Sequence, residues 1–305
     1  MKRKVIQLAG KTLVVSLPHK WAKKYGVKKG DDIHIEEEEH RLVVKIDDGG
    51  AGAINKQVLD VKGVHIMLNR VITALYKAGY DEIELTYESP EQYSIIRDVL
   101  NKTCMGYEII KHSQRTLIIK NISLLHSDEL DNIIRRYFLT LLSSADDSLE
   151  YLKQGNFESM KEIELRDQLI NKYSDICRRI LNLKGLDTTR KTTTYYFISE
   201  ELEKIGDGYR DLIRFIIKNK ISRANDVSLD IMKEINQLLR LFYEAFYDFD
   251  LIKIEEFGKK SEKLKKEFSS LSETKSSNDL KINNYLYRIF SMVFDMNGSL
   301  LTANI

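Results

Sequence analysis

The chain has 305 residues, a length that suits two or three domains. Hydrophobic residues make up 43% and charged residues 31%, with 48 basic against 46 acidic, so the net charge of +2 says little about partners until its distribution is read. Two cysteines, Cys104 and Cys177, stand far apart without C-x-x-C spacing, which excludes a disulfide framework and fits a reducing cytoplasmic compartment. No apolar run reaches the ~18 residues that cross a membrane, and the N-terminus lacks the apolar segment of a signal peptide, so no membrane insertion is expected.

Residues 1–47 read as short strands. Lys4-Val5-Ile6-Gln7-Leu8 alternates, and Leu13-Val14-Val15-Ser16-Leu17 follows a turn at Ala9-Gly10-Lys11. Pro18 opens a short helix through Trp21 and Ala22 that ends at Gly26. Ile33–Glu36 and Leu42–Ile46 flank an acidic turn, Glu37-Glu38-Glu39-His40. Asp47-Asp48-Gly49-Gly50-Ala51-Gly52 has the composition of a flexible linker.

A middle domain, 54–123, alternates element types. Val64 to Gly79 and Pro90 to Leu100 are helix-like; Glu82 to Tyr87, Tyr107 to Lys111 and Thr116 to Ile122 are strand-like. This is a small α+β unit with no site chemistry of its own.

From Ser127 onward the pattern is helical, with six helices expected at about 127–153, 157–184, 189–219, 226–249, 252–272 and 278–303. Gly155-Asn156 supplies a stop followed by an N-cap, and Asn225 lies in the turn before the fourth helix. Ile198, Leu202, Ile205, Tyr209, Leu212 and Ile216 form a stripe spaced 4,3,4,3,4, and Ile282, Leu286, Ile289, Val293, Met296 and Leu300 repeat it 84 residues later. The constant offset predicts two three-helix units in tandem.

Through residue 30 there are nine basic residues (Lys2, Arg3, Lys4, Lys11, Lys20, Lys23, Lys24, Lys28, Lys29) and no acidic one. A one-signed patch on a small unit suits contact with a phosphate backbone, although a solvated face without a partner reads the same way. So few residues can hardly bury a core alone, which points to dimerisation. The run Val5-Ile6-Gln7-Leu8-Ala9-Gly10-Lys11-Thr12-Leu13-Val14-Val15-Ser16-Leu17-Pro18, then Trp21-Ala22, then Gly26-Val27-Lys28-Lys29-Gly30-Asp31, resembles the AbrB/SpoVT (MazE-like) domain. The resemblance implies an interlaced, swapped-hairpin β-barrel, a homodimer through residues 1–47, that grips double-stranded DNA. By position, Lys4, Lys11, Lys20, Lys23 and Lys24 are the candidate DNA contacts. Lysine stands where many family members use arginine, and it lacks arginine's bidentate contact to guanine.

Beside the stripe of the third helix runs a polar line: Glu200, Glu203, Asp207, Arg210 and Arg214. Its plain reading is a set of solvated ion pairs, although Glu203 and Asp207 place two carboxylates one turn apart, as a hard cation would need. On the second helix Asp167 sits close to the apolar seam, where a carboxylate requires a partner. Glu201-Leu202-Glu203-Lys204-Ile205-Gly206-Asp207 resembles the recurrent acidic motif of PhoU-like helical proteins, a resemblance that covers 124–305. An AbrB-type domain ahead of a PhoU-like one resembles the architecture of archaeal phosphate uptake regulators. It implies metal ligation, by a divalent or iron-type ion, at Asp167, Glu203 and Asp207. The second copy departs: the offset carries Glu203 onto Tyr287 and Asp207 onto Ser291.

No G-x-x-x-x-G-K-[ST], G-x-S-x-G or H-E-x-x-H occurs, and the six histidines lack ligand spacing, so a non-enzymatic protein is expected. Two functions follow from the resemblances: a DNA-binding transcriptional regulator of phosphate uptake, or a PhoU-like modulator of a phosphate transporter or its signalling partner that does not bind DNA.

Overall fold

Strand β1 (Ile6–Leu8) turns back into β2 (Thr12–Val14), pairing Ile6 with Val14 and Leu8 with Thr12. The turn needs Gly10, whose φ of 83° lies in the left-handed region that side chains avoid. Helix α1 (His19–Lys24) follows Pro18, and β3 (Ile33–Glu38) pairs antiparallel with β4 (Arg41–Ile46). The two hairpins form separate two-stranded sheets. The computed structural model describes residues 2–8, 10–38, 41–46, 55–123, 129–186, 188–271 and 277–305, in two units, Met1–Ile54 and Asn55–Ile305. The expected linker at 47–52, the Glu39-His40 part of the acidic turn and the expected helix start at Ser127 lie outside the described residues.

The second unit opens on β5 (Lys56–Asp60), a strand that the sequence pattern did not announce. It runs parallel to β6 (Glu82–Thr86) through the crossover helix α2 (Leu68–Lys77). After α3 (Pro90–Lys102), β7 (Tyr107–Ser113) and β8 (Thr116–Asn121) form a hairpin that joins β6, giving the order β5-β6-β8-β7. Ser89 caps α3 by accepting from the Gln92 N–H at 3.3 Å, with Pro90 in the first turn where its missing N–H costs nothing. Ile83, Leu85, Leu117 and Ile119 face the core with Leu68, Ile72 and Tyr76 of α2 and Ile96 and Leu100 of α3. Both helices thus cover one face of the sheet.

The helical array comprises α4 (Leu130–Gln154), α5 (Phe157–Met160), α6 (Glu162–Lys184), α7 (Thr189–Lys218), α8 (Asp226–Tyr247), α9 (Leu251–Ser270) and α10 (Ser277–Asn304). The helix expected at 157–184 is interrupted: Asn156 caps a single turn, and the chain restarts at Glu162. Gly155 takes φ 66° at the end of α4, and Asn225 caps α8 by accepting from the Ser228 N–H at 2.8 Å. Both heptad-like stripes are buried, from Ile198 to Ile216 and from Ile282 to Leu300. Helices α4, α6 and α7 pack mutually, as do α8, α9 and α10, and the triplets meet through α7 with α10 and α4 with α8. Helix α2 lies against α6, so the sheet layer and the helical array share one core.

Candidate nucleic-acid interface and the acidic seam

No described residue of the N-terminal unit is buried, and Val5, Ile6, Leu8, Leu13, Val15, Ile35 and Leu42 are all more than half exposed. Strands of three to six residues with period-two alternation have one apolar face each, and in a single copy those faces meet nothing that covers them. Lys4, Lys11, Lys20, Lys23 and Lys24 are all exposed. Lys20, Lys23 and Lys24 come from α1, and Lys11 sits in the β1–β2 turn, where the Gln7 side chain donates to the Gly10 carbonyl at 2.7 Å. Trp21 and Tyr25 lie one helical turn apart with ring centroids 5.5 Å apart, and the Lys24 ammonium sits 5.0 Å from the Tyr25 centroid. Asp31, the first acid in the sequence, is turned inward to accept from the Lys28 N–H at 2.7 Å. The basic segment therefore offers cations to solvent, with its nearest carboxylate already engaged by backbone.

The polar line on α7 is solvated at its ends, where Glu200 pairs with Lys204 and Arg214 with Glu164, and half-buried in the middle at Glu203 and Arg210. It faces α6 and forms a ladder across the two antiparallel helices. Arg214 donates to Glu164 at 2.5 Å, and Arg210 donates to Asp167 at 2.9 Å, to Asp211 at 2.8 Å and to Asp207. Ser174 donates to Glu203 at 2.9 Å, and Arg178 donates to Glu203 and to Asp175 at 3.1 Å. Lys77 of α2 reaches Asp175 at 3.4 Å. Gly206 and Gly208 flank Asp207, and a Cβ on them would stand 2.9 Å from Ile170 of α6 and 2.7 Å from Ile289 of α10. Small residues let α6 and α10 press on α7 from both sides.

Burial pushes the Asp207 carboxyl up to about 6; Arg210 pulls it down, while Asp167 and Glu203 add to the rise. Burial likewise raises Asp175 against the pull of Lys77 and Arg178. Burial works against the charge of Arg210, but its bonds to Asp211 and Asp167 outweigh that and hold its pKa above the usual arginine value.

Asp167, Glu203 and Asp207, the candidate metal ligands, are thus each turned to an arginine. Arg210 stands between Asp167 and Asp207, and Glu203 faces Arg178. In this seam two buried oxygens keep no partner among the described residues, Asp167 Oδ1 and Asn171 Oδ1, and two fall short of the six or more that a hard cation takes. Among the described residues no group of three or more His, Cys, Asp or Glu is placed to hold a metal ion. The residues as arranged do not fit the metal that the resemblance implies. The partner that Asp167 required is Arg210. Sequence reading missed Arg178, Asp175 and Lys77; a charged triplet in which every turn of α6 carries Arg, Lys or Asp looks solvated until α2 and α7 close over it.

A family model described as "Antidote-toxin recognition MazE, bacterial antitoxin" matches residues 6–48. That stretch is a MazE/AbrB-like domain; the match does not extend to residues 55–305. Comparison with curated proteins and with solved structures gave no match. Among the described residues no helix is long and apolar enough to cross a membrane.

Proposed function

We propose that this protein is a cytoplasmic, dimeric, DNA-binding transcriptional regulator. Its residues 1–47 form the DNA-binding module, and its helical unit is the regulatory body. The observation that carries the reading is the combination found in the N-terminal unit: exposed lysines from a segment without acids, on strands whose apolar faces need a second copy. An interlaced barrel from two chains would cover Ile6, Leu8, Leu13 and Leu42 and double the charge. The reading treats the chain as non-enzymatic.

The process regulated, phosphate uptake, is the finer part of the proposal. Its support is the Glu201–Asp207 motif together with the tandem helical triplets. An antitoxin role is suggested by the words that describe the matching family, but the 251 residues from Asn55 to Ile305 form a folded unit with its own core, unlike a short toxin-wrapping tail. The alternative of a transporter or signalling modulator would leave the N-terminal module as a dimeriser only.

The test is a salt titration of duplex DNA binding by the full chain. Phosphate neutralisation makes log affinity fall linearly with log salt, by about 0.9 per phosphate contacted. Absence of binding at about 50 mM salt, with the protein folded and dimeric, would hand the function to the modulator reading.

A further inference from the structure

We propose that the open face of the β5-β6-β8-β7 sheet is an isologous contact between two copies of this chain. The proposal rests on the dimer reading given above.

Helices α2 and α3 cover one face of this sheet only. The other face carries Lys56, Val58, Glu82, Glu84, Glu108, Ile110, Ile118, Lys120 and, just past β8, Ile122. A sheet face meant for water alternates to polar residues. This one keeps Val58 58%, Ile110 52% and Ile122 64% exposed, with Ile118 half-buried among them. The β-bulge between Ile109 and Lys111 sets two residues, Ile110 and Lys111, opposite the single Ile118, which widens the apolar centre.

The charges on this face have a symmetry that identifies the occupant. The registers align Lys56 with Glu82, Glu82 with Lys120, and Lys120 with Glu108. Across the four strands that row reads plus, minus, plus, minus. Turn a second copy about a two-fold axis parallel to the strands, between β6 and β8, and lay it face to face. Lys56 then meets the second copy's Glu108, Glu82 meets Lys120, and Val58 meets Ile110. Lys56 already pairs within its chain with Glu82 at 3.1 Å and Glu84 at 3.2 Å; the second copy's Glu108 extends that row so that every charge in it faces its opposite, in the geometry of an ordinary two-fold dimer.

Size explains why such a contact would need help. Four strands about 4.8 Å apart and five residues long present a face of roughly 300 Å² in plan, against about 800 Å² per partner in a stable complex. Free in solution the faces would associate weakly. Only residues 47–55 separate β4 from β5, however, and a chain extends at most about 3.5 Å per residue. A dimeric N-terminal module would thus tether the two faces and raise their effective concentration.

The experiment uses the full chain with Lys56→Cys and Glu108→Cys together, and each alone. Within one chain these positions are three strands apart, about 14 Å, beyond the reach of an 8 Å bismaleimide. The native Cys104 and Cys177 are buried, which keeps the background low. The double variant should give a covalent dimer joined from 56 to 108, at least about tenfold more than either single variant. Adding Val58→Asp at this exposed position should remove that product while the far-UV signal stays that of the wild type and sedimentation still shows a dimer. A sedimenting dimer without the 56–108 link overturns this proposal and leaves the dimer reading standing. A sedimenting monomer overturns both. A link from position 56 or 108 to residues 2–46, or protection of Lys56 and Lys120 from acetylation only when duplex DNA is present, assigns the face to another occupant and overturns it.

Discussion

Arg179 of α6 closes the C-terminal end of α2 by donating from Nη1 to the Tyr76 carbonyl at 2.6 Å, with its guanidinium 5.0 Å from the Tyr76 ring centroid. The same side chain donates to the Tyr107 hydroxyl at 3.1 Å and to the Tyr80 carbonyl at 3.0 Å, and Asn182 takes the Lys77 carbonyl at 2.8 Å. The last carbonyls of a helix have no intrahelical donor; here a helix from another layer supplies the Lys77 carbonyl and adds a second donor to the Tyr76 carbonyl, which also accepts from the Gly79 N–H at 3.1 Å. A cation at that end also complements the helix dipole.

Arg179→Ala should therefore loosen the junction between sheet and helices. Three hydrogen bonds at about 1 kcal/mol each predict a loss of roughly 3 kcal/mol, although the Tyr76 carbonyl keeps the Gly79 N–H at 3.1 Å and the Tyr80 carbonyl keeps the Tyr107 hydroxyl. Denaturant unfolding followed by far-UV signal reads it. A loss under about 1 kcal/mol would mean that water replaces the guanidinium without cost.

Two glycines should respond with opposite sign. At Gly208 a methyl would stand 2.7 Å from Ile289 Cγ1, so Gly208→Ala should cost about 1–3 kcal/mol through overpacking between α7 and α10. At Gly298, also mid-helix in α10, nothing lies within 4 Å, and Ala should add about 0.8–1 kcal/mol through helix propensity. Equal effects in thermal denaturation would contradict the close α7–α10 approach.

Asp207 should make stability depend on pH. Its carboxyl sits at about 6 in the folded chain against 3.8 as its ordinary value, so the folded state binds this proton more tightly. Its contribution improves as pH falls through about 6, and above that the ionised, partly buried group costs stability. Asp207→Asn should raise the melting temperature near pH 8, with the gain fading towards pH 4. A variant less stable at pH 8 than the wild type would show that the bond to Arg210 outweighs the burial.

Arg210 should act as the internal counter-cation of the seam. Arg210→Ala leaves Asp167 buried without its cation, at a cost of about 3–5 kcal/mol. It also frees the carboxylates of Asp167, Asp207 and Asp211. Divalent cations should then raise the melting temperature of the variant, by about 2.7 kcal/mol equivalent at 100 times the dissociation constant, while leaving the wild type unchanged. Stabilisation of the wild type by the same ions would restore the metal reading.

Lys11→Ala and Lys24→Ala should weaken DNA binding alike for all sequences and flatten the salt slope by about one unit per contact removed, so about two per dimer. Loss confined to one sequence would mean base readout.

The stripes of α7 and α10 were legible because burial on one face imposes a spacing that nothing else produces. The caps at Gly155, Asn156 and Asn225 were legible because backbone chemistry demands those residue types. Asp167 was legible as a carboxylate lacking a partner. Arg178 and Arg179 were not: charge pairs of this kind stand on solvated helices everywhere, and only the closure of α2, α4 and α7 around the C-terminal half of α6 buries them. Strand β5 was missed for a related reason. Lys56-Gln57-Val58-Leu59-Asp60 has two apolar residues in sequence rather than in alternation, and its place comes from pairing with β6.

Burial raises the Cys104 thiol to about 12 and lifts Cys177 further still, so neither carries appreciable thiolate at neutral pH. Cys104 belongs to the sheet layer, just after α3, and Cys177 to the helical array, inside α6. The chain therefore contains its own pair of clocks. Each thiol can be alkylated only when its layer opens, so the two labelling rates time the opening of sheet and helices separately, without any introduced probe. If Arg179 and Asn182 couple the layers, the two clocks run together in the wild type and part company in Arg179→Ala.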